Sequence, residues 1–476
     1  MAKVMTKPTK PTKIPVIRLT DPSPADLARA KGKALRAKTP RPSHSATMGK
    51  AKGRDPVAII LASDVDRLQN LVPTRHTRML ESPFAFYRGT AAIQARDLGT
   101  LPSSGIVIQC CGDAHLANFG GFATPERKFI FDINDFDETA QAPFEWDVKR
   151  LAASFVLAAR WRGFSDDKGK DIAISAVSAY RRNILRAAGE ATLDAWYAAV
   201  TWEGVLEEAK GDEAATKRVT SLIAEAQKQT NEHVFHKLTT LDDGEPRFLD
   251  QPPLLYHPND IDVREIAGPF LKNYVSTLSA DRHALLGRLR FVDAAIKVVG
   301  VGSVGTRCYV ALMLGDQNEP VFLQVKEARD SVLTAAAGGK SWANNGERVV
   351  VGQRMMQAAS DMFLGWAKGP AGRDFYVRQL RDMKSSVDIT TMSARMLGRY
   401  ADLCGQTLAR AHAKAGDAAL IAGYLGNSDA FDTALGAYAL AYADQAEKDY
   451  GAFKRAAGAG KVKTTSSPGE TETMIR

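Results

Sequence analysis

A chain of 476 residues, 45% hydrophobic and 25% charged, has the apolar content of an ordinary soluble protein with a large core or two to three lobes. The net charge of +9 is unevenly spread: residues 1–54 hold fourteen Lys and Arg against Asp21 and Asp26, a net +12, so the rest of the chain carries −3. No apolar run approaches the ~20 residues of a bilayer span, the basic N-terminus lacks the apolar stretch of a secretory signal, and Cys110, Cys111, Cys308 and Cys404 form no CxxC pair, so neither a zinc knuckle nor a disulfide framework is suggested and reduced thiols in a cytoplasmic protein fit best.

Residues 1–55, rich in Lys, Pro, Thr and Ala, are expected to form a basic arm without fixed structure. The arm could bind a polyanion. No aromatic residue precedes Phe84 to stack on bases, however, and nucleic acid is not expected as a partner. Short helical patterns come next, then Ser82–Gly89, a turn entering a core segment. Gly105–Gln109 and Lys128–Ile133 are short β-branched runs around a loop dense in Asp, His, Asn and Gly, a strand–loop–strand unit. Helical patterns then dominate. Trp146–Trp161 carries Val148, Leu151, Ala152, Phe155, Val156 and Ala159 at helical spacing. Tyr180–Ala198, Leu206–His236 and Val263–Leu289 read likewise, with Asp242–Asp260 as a connection. Strand patterns return at Ala295–Val299, Arg307–Leu314, Val321–Val325 and Phe375–Leu380, interrupted by a helix over Glu347–Phe363. Residues 390–456 are helical again and lead into a disordered polar tail, 457–476. The expected division is an arm (1–55), a catalytic-loop half with helical lobe (56–290), a β-rich lobe (291–385) and helices that complete the helical lobe (386–456).

Four segments carry chemistry. The first is Cys111-Gly-Asp113-Ala-His115-Leu-Ala-Asn118, followed by Asp132-Ile-Asn134-Asp135-Phe136-Asp137-Glu138. Phosphoryl transfer needs a carboxylate beside the attacking hydroxyl and oxygen ligands for Mg²⁺. Asp113-x-x-x-x-Asn118 has the spacing of a kinase catalytic loop, with Asp113 as base and Asn118 as metal ligand, and Asp135 after the next strand supplies a second ligand. Asp132 and Asp137 remain alternative ligands. The same residues could form an Asp/Asn-rich turn or a hydrolytic metal site of Asp113, His115 and Asp135. The second segment is Gly300-Val-Gly302-Ser-Val-Gly305. It runs into a strand pattern, not the helix a dinucleotide fold requires, so strand–glycines–strand reads as a phosphate-covering hairpin; an ordinary glycine hairpin is the alternative. The third is Val321-Phe-Leu-Gln-Val-Lys326. Lys326 ends an apolar strand one hairpin after the glycines and is expected to pair with nucleotide phosphates and with Glu347 on the next helix. Glu347 could instead be a favourable charge at a helix N-terminus, and Lys326 an edge-strand lysine. The fourth is Pro143-Phe-Glu-Trp-Asp147; an Asp at a helix start could be only a cap, but by its likeness to kinase-like folds Asp147 is read as structural support for the catalytic loop.

Ser82–Gly89, Cys111–Gly120, Phe131–Thr139, Phe144–Arg150 and Gln324–Ala328 together resemble the bacterial family catalogued as domain of unknown function family 2252, over roughly residues 30 to 455. That family is grouped with kinase-like folds. The loop is also similar to that of aminoglycoside and choline kinases, His-Gly-Asp-x-His-x-x-Asn, with Cys111 in place of the first His and Asn134 where an apolar residue is usual. The glycine hairpin and lysine come after the catalytic loop here, the order of a circular permutation. The resemblance implies an α+β, two-lobed, protein-kinase-like fold in permuted order with a large helical insertion. It implies ATP and Mg²⁺ as cofactors, with Gly300, Gly302, Gly305, Lys326 and Glu347 at the nucleotide. It also implies a small-molecule hydroxyl acceptor. A non-catalytic ATP-binding regulator, a nucleotidyl transferase and a metal-dependent hydrolase are the rival readings.

Overall fold

The computed structural model describes residues 22–47, 53–228, 231–258, 262–298, 300–380 and 385–465. The protein is a mixed α+β structure. Among the described residues its strands are β1 (Val107–Cys110), β2 (Phe119–Ala123), β3 (Phe129–Ile133), β4 (Ala140–Pro143), β5 (Val200–Thr201), β6 (Thr239–Asp242), β7 (Glu245–Phe248), β8 (Leu255–Tyr256), β9 (Arg290–Lys297), β10 (Cys308–Leu314), β11 (Pro320–Glu327), β12 (Gly365–Lys368), β13 (Asp374–Gln379) and β14 (Ser385–Ser386).

The largest sheet runs β12-β13-β11-β10-β9-β8 and is antiparallel throughout. Its side chains obey the period of two that a strand imposes. On β10, Val310, Leu312 and Leu314 enter one apolar cluster, while Ala311 and Met313 enter another. Both faces of the sheet are therefore covered. The covering comes from residues 231–286, which the sequence pattern assigns to the helical half. Val234 and Phe248 pack on the first face, and Tyr274, Leu278 and Leu286 on the second. A sheet with two apolar faces must recruit such cover, and the nearest chain supplies it.

The larger core is helical. The helix Glu145–Trp161 is buried at every position from Glu145 to Ala159, as expected for a helix at the centre of a bundle. It packs against Asp166–Ala187, Ala394–Ala415 and Ala430–Gly458, so the C-terminal helices close the lobe that the middle of the chain begins. Several expected helices are divided. Leu206–His236 breaks at Gly211, whose φ is +88°. Glu347–Phe363 is Asn345–Met356, and the chain then turns into β12. The strand–loop–strand unit is two ladders, β1 with β4 and β2 with β3.

The arm is a correction too. Pro24–Leu35 is a helix, with a capping box between Ser23 and Asp26. Arg36 donates to the carbonyls of Tyr424 (2.8 Å) and Gly423 (2.5 Å), and His44 Nε2 meets the Tyr424 hydroxyl at 2.6 Å. Arg54 is buried between Asp97 and Asp449. Arg36 and Arg54 are engaged by internal carbonyls and carboxylates. In the expected tail the helix runs on to Gly458, and Val462 is buried beside Ile60 and Phe86. Residues 1–21 and 466–476, the remainder of the expected arm and tail, lie outside the described residues. No helix among the described residues is long and apolar enough to cross a membrane.

Candidate active site

The chain leaves β1 at Cys110, and one carboxylate fixes the loop beyond it. Asp147, in the first turn of the central helix, accepts hydrogen bonds from the amides of Cys111 (2.8 Å) and Gly112 (3.0 Å). It lies 3.2 Å from His412 Nε2, and His412 Nδ1 meets the Tyr180 hydroxyl at 2.9 Å. Gly112 has φ +90°, and a Cβ there would overlap the carbonyl oxygen of Glu138, so the turn requires glycine.

Asp113 comes next. Its Oδ1 accepts from Arg150 Nε at 2.8 Å, and Arg150 Nη2 lies at the same distance in an ion pair. Arg150 also donates to Gln94 Oε1 (2.9 Å) and the Tyr87 carbonyl (2.7 Å), and lies 3.9 Å from the centre of the Tyr87 ring. Burial pushes the Asp113 carboxyl up, against the opposing charges of Arg150 and Arg88. His115 Nε2 is 3.7 Å from Asp113 Oδ2. Burial, reinforced by Arg88 and Arg150, holds the His115 ring well below its ordinary value, so it stays neutral. Asn118 donates its side-chain NH₂ to the Asp113 carbonyl (2.8 Å), while its own carbonyl accepts from the Asn134 amide (2.8 Å), tying the loop to the end of β3.

The three neighbouring acids part ways. Asp132 is buried within the helical lobe, paired with Arg410 and accepting from the Ala358 amide at 2.8 Å. Asp137 accepts from Lys326 Nζ and the Tyr376 hydroxyl, each at 2.6 Å, and from the Ser303 hydroxyl at 3.2 Å. Burial alone would raise Asp137, but Lys326 and Tyr376 outweigh it and hold the carboxyl low. Asp135 is pushed up by burial and then by the charge of Asp137. Its Oδ1 accepts from the Asp137 amide (3.1 Å), and Oδ2 has no donor among the described residues. Glu138 is pushed up to about 7 by burial, against the Val332 amide and Arg348.

The glycine segment joins β9 to β10, which pair antiparallel. Its carbonyls are held from outside. Arg78 Nη1 donates to Gly300 (2.5 Å), Arg67 Nη1 to Gly302 (2.9 Å) and Val304 (2.6 Å), and the Leu68 amide to Gly305 (2.7 Å). Among the described residues the amides of Val301, Gly302 and Ser303 find no acceptor.

These pieces meet in one cavity of about 560 Å³. Asp113, His115, Asn118, Asp135, Asp137 and Glu138 line it, together with Gly300, Gly302 and Ser303. Lys326 stands behind Asp137, itself only 2% exposed. Two of the expected residues are placed otherwise. Gly305 is tied to Leu68 and does not line the cavity. Glu347 is not the partner of Lys326, whose ion pair is with Asp137. Glu347 sits in the first turn of its helix with its amide capped by Asn344 (3.1 Å). The helix turns the next residue inward: Arg348 is buried and donates to the carbonyls of Thr139, Asp137 and Arg329.

Sequence reasoning missed Arg150, Arg88 and the roles of Asp137 and Glu138. For Arg150 a signal existed. It lies three residues after Asp147 on one helix, and that spacing places both side chains on the face turned to the loop.

No curated protein matches the chain, and no solved structure does. Residues 67–456, by contrast, match the family described as an uncharacterized protein conserved in bacteria (DUF2252). Since that match takes in the Asp113 loop, the central helix, the glycine turn and the strand of Lys326, the chain belongs to this bacterial family.

Proposed function

We propose that the protein is an ATP- and Mg²⁺-dependent phosphotransferase of kinase-like, circularly permuted architecture, acting on the hydroxyl of a small molecule. The observation that carries this reading is the meeting, in one cavity, of Asp113, Asn118 and Asp135 with the distant glycine turn Gly300–Ser303. The order of the sheet adds support. The glycine turn joins β9 and β10, Lys326 lies on the next strand, β11, and a helix comes after it. Protein kinases likewise cover the phosphates with a glycine-rich loop and carry the lysine on the third strand. The likeness of the Asp113 loop to that of aminoglycoside and choline kinases argues for a small acceptor. Four buried, unpaired cysteines suit a cytoplasmic enzyme.

The donors fit Mg²⁺, which prefers oxygen ligands. Asn118 keeps its Oδ1 and Asp135 its Oδ2, whereas Asp137 is engaged by Lys326 and Tyr376, and Asp132 by Arg410. Bound there, the metal would neutralise charge on the phosphate oxygens. Asp113 takes the acceptor's proton as the acceptor oxygen bonds to phosphorus and the oxygen of ADP leaves. Arg150 holds the Asp113 carboxylate in place. Free amides of the glycine turn donate to phosphate oxygens, and Lys326 supplies charge from behind Asp137.

The test is a thermal shift with ATP and Mg²⁺ on wild type and Lys326→Ala. Lys326→Ala lowers the baseline by stripping a buried pair, by about 3–5 kcal/mol, so the ligand-dependent increment is the readout. Wild type gains about 2.7 kcal/mol at a hundredfold excess over Kd, and the variant loses most of that gain. Absence of any shift in wild type would sink the reading. Asp113→Asn retains the shift and loses about 10²–10⁴ in turnover, the usual share of a general base. A shift without turnover in wild type would indicate a regulator, and AMP on the product a nucleotidyl transferase.

A further inference from the structure

The cavity contains a cation that the proposed mechanism leaves unused. Arg88 ends the short helix Pro83–Arg88, whose start is capped by Ser82 Oγ and whose Phe84, Phe86 and Tyr87 are buried. Its backbone is thus rigidly placed. The other arginines lining the cavity all have acceptors: Arg67 on glycine-turn carbonyls, Arg75 on Asp64 and the Gly89 carbonyl, Arg329 on the Ser63 carbonyl, and Arg373 on Asp66 and Glu327. Arg88 has none among the described residues, and its Nε is buried without a hydrogen-bond partner. Leaving a buried guanidinium donor unmatched is costly, and such groups persist where a ligand completes them. Two neighbours fix its position. The Arg88 charge acts on Asp113, and the Arg88 carbonyl lies against Gly302, 3.2 Å from where a Cβ would be. Arg88 thus lines the same cavity as Asp113 and the glycine turn, with its backbone against Gly302.

We infer that Arg88 binds the terminal phosphate of a nucleoside triphosphate, the group lying between the glycine turn and the acceptor. A guanidinium presents paired donors that match phosphate oxygens. Arg88 makes and breaks no covalent bond; it neutralises charge on the group being transferred, the part arginines play in other phosphoryl-transfer sites. This inference rests on the phosphotransferase reading and adds a residue to it.

Calorimetry on the full chain tests it, with Mg-ADP and a non-hydrolysable Mg-ATP analogue as probes. Wild type binds the triphosphate more tightly than the diphosphate. Arg88→Gln weakens the triphosphate about tenfold to a hundredfold, the range of a lost charge-assisted bond, leaving the diphosphate within about twofold; Arg88→Lys restores part of the difference. Equal weakening of both probes, or of neither, overturns the role of Arg88 while leaving nucleotide binding intact. If wild type binds neither nucleotide, the phosphotransferase reading falls and takes this inference with it. Without nucleotide, Arg88→Gln melts at or above the wild-type temperature, because it removes an unmatched buried donor; a fall of more than about 5 °C, well over 1 kcal/mol for a chain this long, would assign Arg88 to the scaffold.

Discussion

Burial pushes the carboxyl of Glu138, one of the cavity acids, up toward neutral pH. Its ordinary value of 4.5 is raised to about 7 by burial. Between those two values the folded protein keeps a proton that the unfolded chain has lost. Stability from this group therefore falls as pH rises through the window, and the loss is complete above about 7. Glu138→Gln keeps an oxygen for the Val332 amide but does not titrate. Its stability relative to wild type, measured by urea unfolding from pH 4.5 to 8, should rise up to about pH 7 and then level off. Parallel curves for the two proteins would show that Glu138 keeps an ordinary carboxyl.

Among the elements, the loop between β1 and β2 has its first turn held by a single side chain. Removing Asp147 leaves the buried amides of Cys111 and Gly112 without acceptors and His412 without its neighbour. Asp147→Ala should cost about 3–5 kcal/mol in denaturant unfolding. Asp147→Asn keeps one acceptor oxygen and should fall between the two. A loss below about 1 kcal/mol, the scale of one ordinary hydrogen bond, would contradict the role assigned to Asp147. This support was legible in the sequence, because an acid in the first turn of an apolar helix stands out from its surroundings. So was the pairing of Asp113 with Asn118, which needs only spacing within one loop. β2 was not legible: Phe119-Gly-Gly-Phe lacks the β-branched residues that mark a strand. Gly121 is a glycine because a Cβ there would meet Phe129 on the next strand and Trp202 and Ser385, which lie far along the chain. The pairing of Lys326 was misread for a related reason. Glu347 follows it in the right order, yet the helix phase turns Arg348 inward, and Asp137 arrives from the segment between β3 and β4.

Over the whole molecule, the N-terminal segment works as a strap. Arg36 and Arg41 donate to the last carbonyls of the helix Ala418–Leu425, where cations are favoured by the helix dipole. Gly32 lets the two helices touch through their backbones. Deleting residues 1–47 should therefore lower the melting temperature by several degrees, at roughly 2–4 °C per kcal/mol for a large domain. Arg36→Ala should account for only part of that fall. A truncated protein that melts like the full chain would return the segment to the role of a solvated arm. The composition alone could not separate these outcomes, since a lysine-rich strap and a lysine-rich tail have the same residues.

The carboxylate of Asp147 has one more consequence, in time. It joins a loop early in the chain to His412, on a helix near its other end. The Cys111 and Gly112 amide protons can reach solvent only when that junction opens, and opening it means parting the central helix from Ala394–Ala415. Their hydrogen exchange should be as slow as that of the lobe's interior helices, and denaturant should speed both in step. Two loop amides would then report on the cooperative unfolding of an entire lobe.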